Sequence, residues 1–150
     1  MDKQALTKAR ADVIERFINL ECIIGAIICQ HYFGRVCQPF YLEVLYDEYC
    51  SFALKRRILE KIVPNLDRAQ LENLNRLNTI RNYFAHTGPE IFEGQEIPSE
   101  GQEGFVPDPR KPSKAVDYAE LYREFQTLEP GMTKYLFNLY QQLGGQYSKA

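Results

Sequence analysis

Residues 79–90 read Thr79-Ile80-Arg81-Asn82-Tyr83-Phe84-Ala85-His86-Thr87-Gly88-Pro89-Glu90. The stretch favours a helix as far as His86 and opposes one from Gly88 onward. Glycine suits the left-handed cap position, and proline cannot continue the hydrogen-bond ladder. Upstream, Pro64-Asn65-Leu66-Asp67 forms a turn, and Asp67 is a good N-cap for a helix over about 68–86. With Leu77 at the centre of the core face and about 100° per residue, Leu74, Ile80 and Phe84 fall within roughly 60° of it. Arg81 falls about 40° away, on the apolar stripe itself. Asn75, Thr79, Asn82 and His86 form a polar line on nearly the opposite side.

Both placements carry chemistry. A guanidinium on an apolar stripe is costly unless a carboxylate, a phosphate or backbone carbonyls satisfy its donors. Arg81 therefore anchors a buried hydrogen-bond network or points into a pocket. His86 stands in the last turn, where the helix dipole favours the imidazolium, as suits a group that exchanges protons near neutral pH. Five residues of ideal helix splay the two side chains by about 140°. One straight helix cannot aim both at a small target. A frayed last turn combined with a second copy of the helix would.

Working outward, residues 4–32 are expected to form one long helix. Leu6, Ala9, Val13, Phe17, Leu20, Ile24 and Ile27 recur at three- and four-residue steps. Around 22–29 that helix turns apolar on every side, so its own bundle or a second subunit must cover it. Phe33-Gly34 breaks it and Pro39 follows. A second helical region spans about 40–63. Ser51 can cap a restart there, which leaves one helix and two both open. Residues 88–113 hold most of the Pro and Gly and are rich in Glu, and are expected to form a long loop, with a short extended piece at Gln102–Val106. Residues 114–143 are helical again, kinked or split at Leu128-Glu129-Pro130-Gly131. The expectation is a single all-α domain over 1–150: a bundle of four to five main helices with a long loop before the last helical region.

Bulk properties narrow the function. A net charge of -2 speaks against a basic scaffold that coats nucleic acid non-specifically, though not against a local basic pocket. Cys22, Cys29, Cys37 and Cys50 include no CxxC pair and no zinc-like cluster, and read as reduced structural thiols. No metal and no cofactor is expected. MDKQALTKAR lacks the form of a signal peptide, and the run CIIGAIIC is far shorter than the roughly 20 apolar residues a span needs. A soluble, cytoplasmic protein without a membrane partner is expected.

Arg81-Asn82-Tyr83-Phe84-Ala85-His86 resembles the R-x(4–6)-H motif of the HEPN superfamily (higher eukaryotes and prokaryotes nucleotide-binding), including the polar residue directly after the Arg. The long first helix, the segment SFALKRRILEKI, the IRNxFAH phrasing and a closing helix are similar as well. The likeness spans most of residues 4–143 and is specific over about 77–87. The same phrasing also resembles the mannitol operon repressor family, a non-enzymatic alternative.

The HEPN resemblance implies a metal-independent endoribonuclease whose composite active site forms where two motif helices meet in a homodimer. His86 would deprotonate the ribose 2′-OH or protonate the leaving oxygen. Arg81 would hold the scissile phosphate, and Asn82 would orient the His or a phosphate oxygen. The product would carry a 2′,3′-cyclic phosphate. Partners would be RNA and a cognate antitoxin or regulatory protein, in a toxin–antitoxin or phage-defence setting. Where some toxin members carry a Tyr two residues after the His, this chain has Gly88.

Lys55, Arg56, Arg57 and Lys61 read as RNA-phosphate contacts or as a solvated helix face. His31 reads as a capping or core-edge residue. Tyr118, Tyr122, Tyr135 and Tyr140 recur at helical spacing and read as core and interface rather than as base-stacking platforms. The acidic loop 90–103 reads as solvated spacer.

Overall fold

The computed structural model describes residues 3–86, 105–108 and 111–145, with side chains at 4–85 and 117–145. Helix α1 runs over Lys3–Phe33, α2 is the single turn Gln38–Phe40, and a π-helical turn follows at Tyr41–Leu45. Helix α3 spans Phe52–Ile62 and α4 spans Arg68–His86. Strands β1 (Phe105–Asp108) and β2 (Lys111–Asp117) pair as an antiparallel hairpin, and α5 covers Tyr118–Gln142. The architecture is an all-α helical bundle carrying one short hairpin. Among the described residues no helix is long and apolar enough to cross a membrane.

Local chemistry sets the helix ends. Ser51 caps α3 by accepting from the Leu54 amide at 3.3 Å, so the second helical region is divided. Asp67 accepts from the Ala69 amide at 2.9 Å and starts α4. Asp117 accepts from the amides of Ala119 and Glu120 at 2.8 and 3.2 Å and starts α5. The last helix thus begins at Tyr118 rather than at 114, because Ala115 and Val116 pair with Pro107 and Val106 in the hairpin. That hairpin overlaps the extended piece expected at 102–106 at Phe105 and Val106. Residues 88–104 of the expected loop, with its Gly88-Pro89 stop, lie outside the described residues. Pro130 does not split α5, which is one helix from Tyr118 to Gln142. The ring removes one amide donor from the ladder.

The chain packs as two compact units. The first joins residues 1–17 to 74–129, and the second joins 18–73 to 130–150. In the first, Ala9, Val13 and Phe17 of α1, Leu74, Leu77, Ile80 and Phe84 of α4, and Tyr118, Leu121 and Phe125 of α5 are buried. This is the apolar stripe centred on Leu77, and each fully buried side chain contributes about 1.5–3 kcal/mol. In the second unit the core is Leu20, Ile24, Ile27, Ile28, Leu45, Leu59, Ile62, Met132 and Leu136, among others. The apolar part of α1 is therefore covered largely by its own bundle.

Gln30 is a buried polar residue in the second unit. Its Nε2 donates to the carbonyls of Gly34 and Leu143 at 3.1 and 3.2 Å, so one side chain serves two chain turns. Gly34 takes the left-handed conformation (φ 66°) that ends α1.

Candidate functional site

The carboxyl end of α4 is the part of the first unit where the sequence concentrates its chemistry. A helix end leaves its last carbonyls without helical donors. Here two other elements supply them. The Tyr118 hydroxyl at the start of α5 donates to the Tyr83 carbonyl at 3.5 Å, and Arg10 Nη2 on α1 donates to the Ala85 carbonyl at 3.5 Å. The Phe84 ring meets Tyr118 edge-on, with centroids 5.0 Å apart.

Arg81 lies half-buried one turn earlier. Its guanidinium carbon stands 4.8 Å from the centre of the Phe17 ring, a cation–π contact, and its Nη2 donates to Asn78 Oδ1 at 2.9 Å. Its Nε is buried and meets no acceptor among the described residues. An unmet donor of this kind costs about 1–3 kcal/mol. The sequence offered a buried network or a pocket, and the structure gives neither outright. One aromatic face and one neighbouring amide hold the group, with donor capacity left over. Asn82 is half-buried beside it. His86 is the last residue of α4, and its side chain lies outside the described residues.

A second polar assembly lies in the same unit. Asp12 accepts from the Tyr122 hydroxyl at 3.0 Å and pairs with Arg16 at 3.5 Å, while Arg16 also pairs with the buried Glu129. Burial first, then the bond to Asp12, hold the Tyr122 phenol above its ordinary range. Arg76 and Glu124 form a two-pronged pair at 2.6 Å each, which lowers the Glu124 carboxyl. Tyr118 and Tyr140 are core, and the Tyr135 hydroxyl accepts from the Asp67 amide at 3.1 Å. His31 is exposed in the last turn of α1, edge-on to Tyr32.

The four α3 cations do not share one face. Lys55 is only 8% exposed and pairs with Glu21 at 3.7 Å. Arg56 is half-buried and pairs with Glu60 at 3.2 Å, one turn on. Arg57 and Lys61 are exposed, four residues apart on one side of the helix. They are the two exposed members of the set.

All four cysteines are free thiols. Cys29 and Cys50 are buried, and burial pushes both thiols up. Among the described residues no three His, Cys, Asp or Glu side chains gather as a metal site. The Arg10–Ala85 and Arg16–Glu129 contacts carried no sequence signal, because each is made across 75 or more residues of chain.

The chain matches no protein-family model, and no curated protein or solved structure is significantly similar to it.

Proposed function

We propose that this chain is a metal-independent HEPN-type endoribonuclease that works as a homodimer, in a toxin or phage-defence role. The observation that carries the reading is Arg81, held on the Phe17 face with a buried Nε that no group among the described residues satisfies. A phosphate oxygen is a fitting acceptor for such a group. His86 takes the proton of the ribose 2′-OH as the 2′-oxygen attacks phosphorus, or gives a proton to the departing 5′-oxygen. The products are a 2′,3′-cyclic phosphate and a 5′-hydroxyl. Arg81 stabilises the charge that builds on the phosphoryl oxygens, and Asn82 orients the His or one of those oxygens. Arg10, bonded to the Ala85 carbonyl, adds a second guanidinium to the same helix end. Arg57 and Lys61 would contact RNA backbone elsewhere.

A second reading has its own support. The Asn78 bond and the Phe17 contact suit a structural anchor, and a non-catalytic HEPN-like or mannitol-repressor-like binding module needs nothing more from Arg81.

Purified protein incubated with RNA in EDTA separates the two. Wild type should cleave, and Arg81→Ala and His86→Ala should each cleave at least about a hundredfold more slowly. Equal cleavage by all three, or cleavage by none, removes the catalytic assignment. Thermal melts of Arg81→Ala complete the test, since an anchor alone predicts lost stability as the main effect.

A further inference from the structure

A cavity of about 240 Å³ opens within the second unit, below the size that drug-like ligands occupy and suited to one small ring system. Glu21 and Lys55 form its polar side, Tyr41 and Tyr46 supply rings, and Ile18 and Leu45 are its apolar lining. Nothing in the ribonuclease reading uses it, and none of the motif residues lines it.

The polar side is incomplete. Lys55 is more than nine-tenths buried, yet its Nζ stands 3.7 Å from Glu21 Oε1, beyond hydrogen-bond length. Among the described residues this ion pair is the polar contact that the ammonium and the carboxylate make, and it leaves hydrogen-bonding capacity on both. A buried ammonium beside a half-buried carboxylate in this state favours a ligand that completes both at once. An anion would be repelled by Glu21 and a cation by Lys55, so the ligand is neutral where it meets them. It presents an acceptor to the ammonium beside donors to the carboxylate.

The rings ask for a flat partner. Tyr41 is seated directly on the α1 backbone at Gly25, where a Cβ would lie 2.6 Å from its Cε2. Tyr46, more than half exposed, stands with its ring centre 6.0 Å from that of Tyr41 at a tilt of 36°. One ring is fixed, and the other is free to cover a planar guest.

We propose that this cavity binds a single guanine-type base, a neutral keto-amino heterocycle. Its carbonyl oxygen accepts from Lys55, its ring N–H and amino group donate to Glu21, and its face lies on Tyr46. Adenine lacks the carbonyl and sets a ring acceptor where the carboxylate needs a donor.

The test is calorimetric titration of the full chain with guanosine, adenosine and L-leucine, the last as a zwitterion able to meet the same two charges. Guanosine should saturate one site per chain, with adenosine and L-leucine at least about tenfold weaker. Glu21→Gln and Tyr46→Ala should each weaken guanosine about tenfold. Tyr46 is outside the core, so that variant keeps the test decisive if Glu21→Gln fails to fold. No saturable guanosine binding, equal affinity for the two nucleosides, tighter binding of L-leucine, or full affinity in Tyr46→Ala overturns the assignment. None of these outcomes depends on whether the chain cleaves RNA.

Discussion

Helix α4 and the stretch Cys37–Ser51 both contain many apolar residues and use them in opposite ways. In α4 the spacing matches the helical turn, and Leu74, Leu77, Ile80 and Phe84 are all but fully buried. In Cys37–Ser51 the chain makes one α turn, then a π turn closed by the Tyr46 amide on the Tyr41 carbonyl at 2.9 Å. A π turn bonds five residues back, so the three-and-four rule no longer selects a face. Leu45 and Cys50 are buried there, while Leu42, Val44, Tyr46 and Tyr49 face solvent. Apolar content alone does not make a core. Periodicity matched to the local turn does.

The contrast can be broken by paired substitutions. Phe84→Ala should lower unfolding free energy by about 3–5 kcal/mol, because it empties a packed position. Tyr49→Ala, at a ring 84% exposed, should change it by less than about 0.5 kcal/mol. Urea denaturation of both variants measures this, and similar losses would erase the distinction between the two regions.

A smaller effect of opposite signs is expected at two helical glycines. Gly25→Ala should cost about 1–3 kcal/mol, since the new methyl meets the Tyr41 ring at 2.6 Å. Gly131→Ala in α5 has open space around it and should stabilise by about 0.4–1 kcal/mol. Thermal melts read both, and the same sign at the two sites would contradict the packing described around Tyr41.

The smallest expected effect depends on pH. Arg76 holds the Glu124 carboxyl below its ordinary value of 4.5 in the folded chain. Its contribution is complete above the unfolded value and is lost as pH falls through the lower, folded one. The pair is partly exposed, so solvent screens it and the effect is modest. Urea midpoints followed from pH 7 to pH 3 should fall less steeply in Glu124→Gln than in wild type.

Much of the fold was legible because its signals are local. The apolar repeat of α1, the Ser51 and Asp67 caps and the stripe of α4 each need only a few neighbouring residues to be read. Of the kink or split expected at Pro130, the split did not occur: α5 runs unbroken through it, with one ladder bond fewer. The start of α5 moved to Tyr118, because hairpin pairing claims the residues that precede Asp117. At the site, the sequence put Arg81 on the apolar stripe but could not name Phe17 or Asn78 as what meets it there. Lys55 looked like one of four equivalent cations until burial beside Glu21 separated it from Arg57 and Lys61. Such pairings depend on the assembled fold and leave no spacing to read.

The central claim is that the guanidinium of Arg81 and the imidazole of His86 act together across two chains. Mixing Arg81→Ala protomers with His86→Ala protomers, each inactive alone, tests it most directly. In a two-fold dimer the mixed species retains one intact Arg–His pairing, so RNA cleavage in EDTA should return to about a quarter of wild type. A mixture as inactive as its two components, with subunit exchange verified, would contradict the shared site.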